Sequence, residues 1–196
     1  MVLITSKFFI LGTFGHIASS AIKKLTKEYF YNKSNYVHFQ NHFESKGVNS
    51  FDVYAAIINN NFEIIENYFK FINDAICGKY DEKMQYSGST LNLVIILGKK
   101  VICANVGDSR TIICEKDGDF YKDLPLSFDH KPDLPREKER IMIYGGTVSQ
   151  CEYDGEYSGP YRVYIRDDNR PGLAMSRSIG DIVAKGLGVT AIPGKT

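Results

Sequence analysis

Apolar and polar positions follow two different periods along this chain. From residue 2 to residue 11 the run VLITSKFFIL is mostly apolar and predicts one buried strand. Gly12 and Gly15 mark a loop, after which Ile17, Ala21, Ile22, Leu25 and Tyr29 recur at spacings of three and four, with Lys23, Lys24 and Lys27 between them. That spacing predicts an amphipathic helix from about His16 to Tyr31. Residues 32 to 50 are polar and read as a surface connection. A second, longer helix is predicted over about Phe51 to Cys77, where Tyr54, Ile57, Ile58, Ile64, Ile65, Tyr68, Phe69, Ile72 and Ile76 make a broad apolar face. Gly78 reads as its C-cap, and the two helices are expected to pair antiparallel.

Beyond residue 88 the pattern changes to strands. Gly88 to Cys114 (GSTLNLVIILGKKVICANVGDSRTIIC) holds Val-, Ile- and Leu-rich runs broken by glycine and predicts a three-strand meander. Lys116-Asp117-Gly118-Asp119 reads as a hairpin turn, with Phe120 to Ser127 as the returning strand. Pro135 suits the first turn of a short helix that Gly145-Gly146 would stop, and Glu137, Glu139 and Arg140 read as its solvated face. Thr147 to Pro171 is polar and glycine-containing and reads as a surface excursion. Gly172 to Asp181 closes with a Ser-Arg and a Gly-Asp.

Composition narrows the choices without pointing to a partner. With 196 residues a single domain is expected, long enough to bury a sizeable core. The 24 basic and 23 acidic residues give a net charge of +1, which supplies no global field to steer nucleic acid or an anionic membrane. No apolar run approaches the roughly 20 residues that a bilayer helix needs. The start of the chain has an apolar stretch followed by small residues, but no basic residue precedes it and Lys7 interrupts it, so a secretory leader is not expected. Cys77, Cys103, Cys114 and Cys151 form no C-x-x-C pair and two lie in apolar runs. They read as buried reduced thiols, which favours an intracellular location, cytoplasmic or nuclear. His38 and His42 have helical ligand spacing without a third ligand. Gly188 to Thr196 mimics a phosphate-binding loop but has five residues where four are required between its glycines.

The order of short motifs is more specific. GST (Gly88 to Thr90), ANVGDSR (Ala104 to Arg110), LSFDHKPDLPREKERI (Leu126 to Ile141), GG (Gly145-Gly146), RV (Arg162-Val163), PGLAMSRSIGD (Pro171 to Asp181) and V-x-A-x-P (Val189 to Pro193) follow one another. This succession resembles the metal-dependent protein serine/threonine phosphatases of the protein phosphatase 2C type, in their plant-like and protist form. The resemblance runs from about Gly12 to Pro193. It implies an α+β fold, a four-layer αββα sandwich of two antiparallel sheets flanked by helix pairs, here lacking terminal strands. It further implies one partial domain over residues 1 to 196, hydrolysis of phosphoserine and phosphothreonine on proteins, and phosphoprotein or regulatory-protein partners. Two magnesium or manganese ions would activate the attacking water, since hard cations take oxygen donors and a paired site neutralises phosphate charge.

The ligand set is where the chain departs from that pattern. The family draws its metal ligands from a Glu-Asp pair, an Asp-Gly-His-Gly turn and two later aspartates, whereas here only Glu28 and Glu44 are acidic before Asp52. Aligning Gly12-Thr13-Phe14-Gly15-His16 with the Gly-Pro-Phe-Gly-His that follows the turn in plant-like members puts Phe9-Ile10-Leu11 where Asp-Gly-His would stand. His16 then becomes a helix-start residue. The family's later Asp-Gly-x-Trp and Asp-Asn segments have no counterpart, and the chain has no tryptophan. The resemblance leaves Asp108 as an accessory third-metal position and Asp181 as a cleft-lining residue, with Arg110 and Arg177 expected on carboxylates or carbonyls. A binuclear site is not expected. The chain is therefore expected to be inactive by itself, either as a truncated phosphatase or as a pseudophosphatase serving as a protein-binding module. Exposed sheet edges would then favour self-association.

Overall fold

A computed structural model describes residues 2–7, 10–11, 14–31, 65–66, 68–97 and 100–195. Its first helix, α1 (Gly15–Tyr31), follows the predicted span closely. The second helix, α2, is helical at 65–66 and 68–79, and the expected start near Phe51 lies outside the described residues, as do His38 and His42. It runs through Gly78, because Tyr80 still donates its backbone N–H to the Ile76 carbonyl at 3.0 Å; Gly78 is therefore not the cap. A short helix α3 (Asp81–Met84) follows.

The central sheet has the order β1 (Val2–Lys7), β4 (Leu91–Leu97), β5 (Lys100–Val106), β12 (Gly194–Lys195), antiparallel throughout. Strand alternation sorts its two faces. Leu91 and Leu93 of β4 and Ile102, Ala104 and Val106 of β5 share one buried cluster with Ala18 and Ile22 of α1 and with Tyr68, Phe69, Ile72 and Ile76 of α2. Within it Tyr68 meets Phe69 edge to face, and the Thr26 hydroxyl bonds the Tyr68 hydroxyl across the two helices. The alternate positions Asn92, Cys103 and Asn105 are also buried but carry polar groups. That face is not a second apolar core; it is the floor on which the GDSR turn is built.

Four expectations need correction. The single strand expected over residues 2 to 11 is two: β1 pairs with β4, while β2 (Ile10–Leu11) pairs with β3 (Gly88–Ser89) in a separate three-stranded sheet closed by β11 (Ile179–Gly180). Lys7 opposes Asn92 and Ile10 opposes Ser89, so the register carries through although the ladder divides where the partner chain leaves strand geometry at Thr90. The three-strand meander is a two-strand hairpin, because the open edge of β5 is taken by β12, Gly194 opposing Asn105. The third run, β6 (Ile112–Asp117), pairs instead with β7 (Phe120–Pro125) around a turn in which Gly118 has φ +61°. Cys114 on that hairpin is exposed, as is Cys151, so only Cys103 is a buried thiol and Cys77 a half-buried one; all four are free.

The polar excursion from Thr147 to Pro171 is in fact a long hairpin, β8 (Gly146–Tyr153) with β9 (Glu156–Ile165), joined by β10 (Pro171–Leu173). Its outer half is exposed on both faces, so no apolar alternation announced it. Helix α4 (Pro135–Ile143) begins at its proline as expected, and Gly145 turns the chain at φ +81°. Its Ile141 anchors a second small core with Val163, Ala184 and Val189. A last short helix, α5 (Ile182–Lys185), follows Asp181.

Candidate functional site

The polar floor of the central sheet holds the GDSR turn from below. Asn92 and Asn105 stand opposite each other in the β4/β5 register, and Asn92 Nδ2 donates to Asn105 Oδ1 at 3.0 Å and to Ser127 Oγ at 3.2 Å. Thr111 Oγ1 donates to Asn92 Oδ1 at 2.5 Å, and Asn105 Nδ2 reaches the carbonyls of Gly107 (2.9 Å) and Phe128 (3.1 Å). Each buried amide thus has partners, as burial requires. These bonds clamp the segment 107–111 against the segment 127–128.

Above that floor the two segments continue to pair. Gly107 N–H donates to His130 Nδ1 at 3.2 Å while His130 N–H donates to the Gly107 carbonyl at 3.1 Å. Gly107 has φ +96°, and a Cβ there would stand 2.5 Å from Thr90 Cγ2, so the position requires glycine. Arg110 grips Asp129 with two bonds of 3.1 Å, and Lys131 Nζ meets Asp108 Oδ2 at 2.5 Å. Because Nδ1 accepts, the imidazole is neutral with its proton on Nε2. Burial, aided by the nearby Arg177 charge, holds His130 down to about 4, against the opposing pull of Glu137.

The largest departure from the sequence reading is Glu137. Expected on a solvated face, it is 5% exposed. Its Oε2 accepts from Ser176 Oγ at 2.6 Å and Arg140 Nη2 at 2.7 Å, and its Oε1 from Arg177 Nη2 at 2.5 Å. Arg140 also reaches the carbonyls of Gly188 and Ser176, both at 2.8 Å, and Arg177 that of Ile192 at 2.9 Å. Burial by itself raises the Glu137 pKa, but the bonds from Arg177, Arg140 and Ser176 outweigh it and hold the carboxyl well below the usual range. The one available signal was a Glu-x-x-Arg spacing on a helix that also carries the buried Ile141. Nothing local said that a Ser-Arg pair nearly forty residues on would close over it.

Asp181 shares no bonding partner with Asp108 among the described residues. It takes φ +50°, donates its N–H to the Ser87 carbonyl at 2.9 Å, and is 4% exposed. Its Oδ2 has no hydrogen-bond partner among the described residues and lies against Gly88, where an added Cβ would come within 2.2 Å of it. Burial raises its pKa, while the Lys185 charge and a bond from Ser178 oppose that rise. Lys185 as a residue is half-buried, but its ammonium is enclosed on the Ser178 carbonyl (2.5 Å) and hydroxyl (3.2 Å); burial lowers it to about 8 against the attraction of Asp181. Arg110 and Arg177 sit on carboxylates and a carbonyl, as expected.

The described residues do not fit a two-metal centre. Among them no three His, Cys, Asp or Glu side chains gather in a way that could hold a metal ion, and the Asp108 oxygen nearest a cation is already on Lys131. A hard cation there would compete with the ammonium for the carboxylate and would need to recruit further oxygens. The Gly194–Lys195 strand of the phosphate-loop mimic lies beside β5, with Gly194 against the His130 ring.

Comparison with known proteins agrees with the motif order. The family model for protein phosphatase 2C matches residues 14–196. "Probable protein phosphatase 2C 1" of Arabidopsis thaliana is 44% identical over 108 residues, covering 55% of this chain and 23% of that protein. "Probable protein phosphatase 2C 61" of the same plant is 36% identical over 147 residues, 68% of this chain and 43% of that protein. The chain therefore spans less than half the length of these curated relatives. Among solved structures, a serine-threonine phosphatase 2C from Toxoplasma gondii superposes with TM-score 0.79 at 20% identity, covering all of this chain and 63% of that one. At that identity the likeness speaks for the fold, an α+β arrangement of antiparallel sheets and helices.

Proposed function

The chain belongs to the protein phosphatase 2C family, and on that premise we propose that residues 1 to 196 are one partial domain of a metal-dependent protein serine/threonine phosphatase. Its substrates would be phosphoserine and phosphothreonine on proteins, and its ions magnesium or manganese. Asp108 would serve an accessory metal and Asp181 would line the cleft. The chain by itself does not turn over phosphoester. The observation that carries this reading is a set of motif residues that satisfy one another, Gly107 with His130 and Arg110 with Asp129. Four unpaired cysteines favour an intracellular setting, cytoplasmic or nuclear.

The test is hydrolysis of para-nitrophenyl phosphate and of a phosphothreonine peptide by the purified chain with manganese. The expected result is no metal-dependent rate above the blank. Manganese-dependent turnover that Asp108→Ala abolishes would show the chain to be a complete enzyme.

The same internal pairing favours a second reading, a pseudophosphatase that presents the fold to a protein partner without metal. In-frame coding sequence upstream of Met1 for a Glu-Asp pair and an Asp-Gly-His-Gly turn would support the first reading and count against the second. Under either reading we expect self-association. Among the described residues strands β6 and β7 form a two-stranded sheet whose Ile112, Phe120, Tyr121 and Leu124 are exposed, and such a ribbon offers edges for pairing. Light scattering should report a species larger than the monomer; a monodisperse monomer would end that expectation.

A further inference from the structure

A pocket of about 390 Å³ opens between the C-terminal end of α4 and residues 185–192. Its lining includes Arg140, Tyr144, Arg177, Lys185, Thr190 and Ile192, and no carboxylate is among the lining residues. The pocket's three cations come from two parts of the chain, Arg140 on α4 and the Arg177–Lys185 segment, and the tertiary fold brings these together. Behind them stand two carboxylates, Glu137 under both guanidiniums and Asp181 near Lys185. His130, beside Arg177, is neutral. One positive charge in this cluster is therefore uncompensated in a partly buried setting, an arrangement that is costly unless an anion offsets it.

The donors are available as well as the charge. Arg140 spends Nε on the Gly188 carbonyl and Nη2 on Glu137 and the Ser176 carbonyl, whereas its Nη1 bonds no described protein group and is not sealed from solvent. Arg177 has all three nitrogens engaged, Nε and Nη2 on Glu137 and Nη1 on the Ile192 carbonyl, and offers a ligand the second hydrogens of Nη1 and Nη2. Both guanidiniums are locked by these bonds, so a ligand meets donors whose geometry is already set. At the rim Tyr144 (61% exposed) and Ile192 (57% exposed) offer apolar surface. The volume falls in the range of small-molecule sites, roughly 300 to 1,000 Å³. The same positive potential contributes to holding His130 and Lys185 below their ordinary ranges, with burial the larger cause in both.

We propose that this pocket binds the phosphate or carboxylate head of a small anion, with the head on Arg140 and Arg177 and any organic body against Tyr144 and Ile192. The site does not depend on whether the chain hydrolyses phosphoesters.

The test is calorimetric titration of the purified chain, in EDTA and at constant ionic strength, with phenylphosphonate, benzoate and inorganic phosphate. Saturable one-site binding of at least one probe is expected. Tighter binding of phenylphosphonate than of inorganic phosphate assigns an organic ligand; equal affinity assigns a free ion. Ile192→Asp places a carboxylate at the exposed rim and should weaken binding at least tenfold without changing the thermal midpoint. Arg140→Lys keeps the charge, loses the fork, and should weaken binding similarly. Should Arg140→Lys fail to fold, Ile192→Asp decides alone. No saturable binding of any probe, or binding that Ile192→Asp leaves unchanged, would overturn the proposal.

Discussion

Arg177 Nη2 stands 2.5 Å from Glu137 Oε1, joining the Ser-Arg motif near the end of the chain to a helix residue forty positions earlier. Around this pair Arg140 and Ser176 complete the carboxylate's bonding, and the three side chains tie α4 to residues 176–192. Two guanidiniums on one buried carboxylate make that carboxylate indispensable to both.

Glu137→Ala should therefore destabilise the fold by about 3 to 5 kcal/mol, the usual cost of removing one partner from a buried ionic cluster. Urea denaturation reads this as a lower midpoint. Glu137→Gln, which still accepts from Ser176, should cost less.

Acid should unfold the protein in two stages. The native His130 pKa of about 4 lies below its ordinary 6.5, so between those values the unfolded chain binds a proton that the native chain refuses. Stability thus falls as pH drops from about 6.5 to about 4, by at most roughly 3 kcal/mol from this group. Glu137 is depressed below its ordinary 4.5, so its stabilisation is complete above that value and is lost as pH falls further. Urea midpoints measured from pH 7 to 4 should decline in the wild type and lose most of the upper stage in His130→Gln.

Asp108→Asn should matter little for folding. Its ion pair with Lys131 is part-exposed on both sides, 26% and 37%, and such pairs contribute about 1 kcal/mol or less. A thermal midpoint within a few degrees of wild type is expected, falling toward the variant's value as salt is raised.

Gly88→Ala should be severely destabilising, by about 3 kcal/mol or more. The new Cβ would lie 2.2 Å from Asp181 Oδ2 and 2.4 Å from the Ile179 carbonyl. Asp181→Ala should not rescue it, because the clash with the Ile179 backbone persists. Recovery of the wild-type urea midpoint in the double variant would place the strain on the carboxylate instead.

Much of the fold was legible because local physics fixed it. The three- and four-residue spacing of α1, the proline at the start of α4 and the Gly118 turn each depend on neighbours within a few residues, and each stands where the pattern put it. The motif order carried the family for a different reason, since it marks positions such as Gly107 that must be glycine because distant residues, Thr90 and Met175, pack against them. The rest turns on which distant segment arrives. Residue periodicity cannot say that β12 takes the edge of β5 and turns β6 out into its own ribbon, or that the polar run after Gly146 pairs with itself. Nor can it tell a solvated Glu-Arg helix face from a buried one. Glu137 is charged and helical in either case, and only the arrival of Ser176 and Arg177 removes it from water and makes it the centre of the cluster.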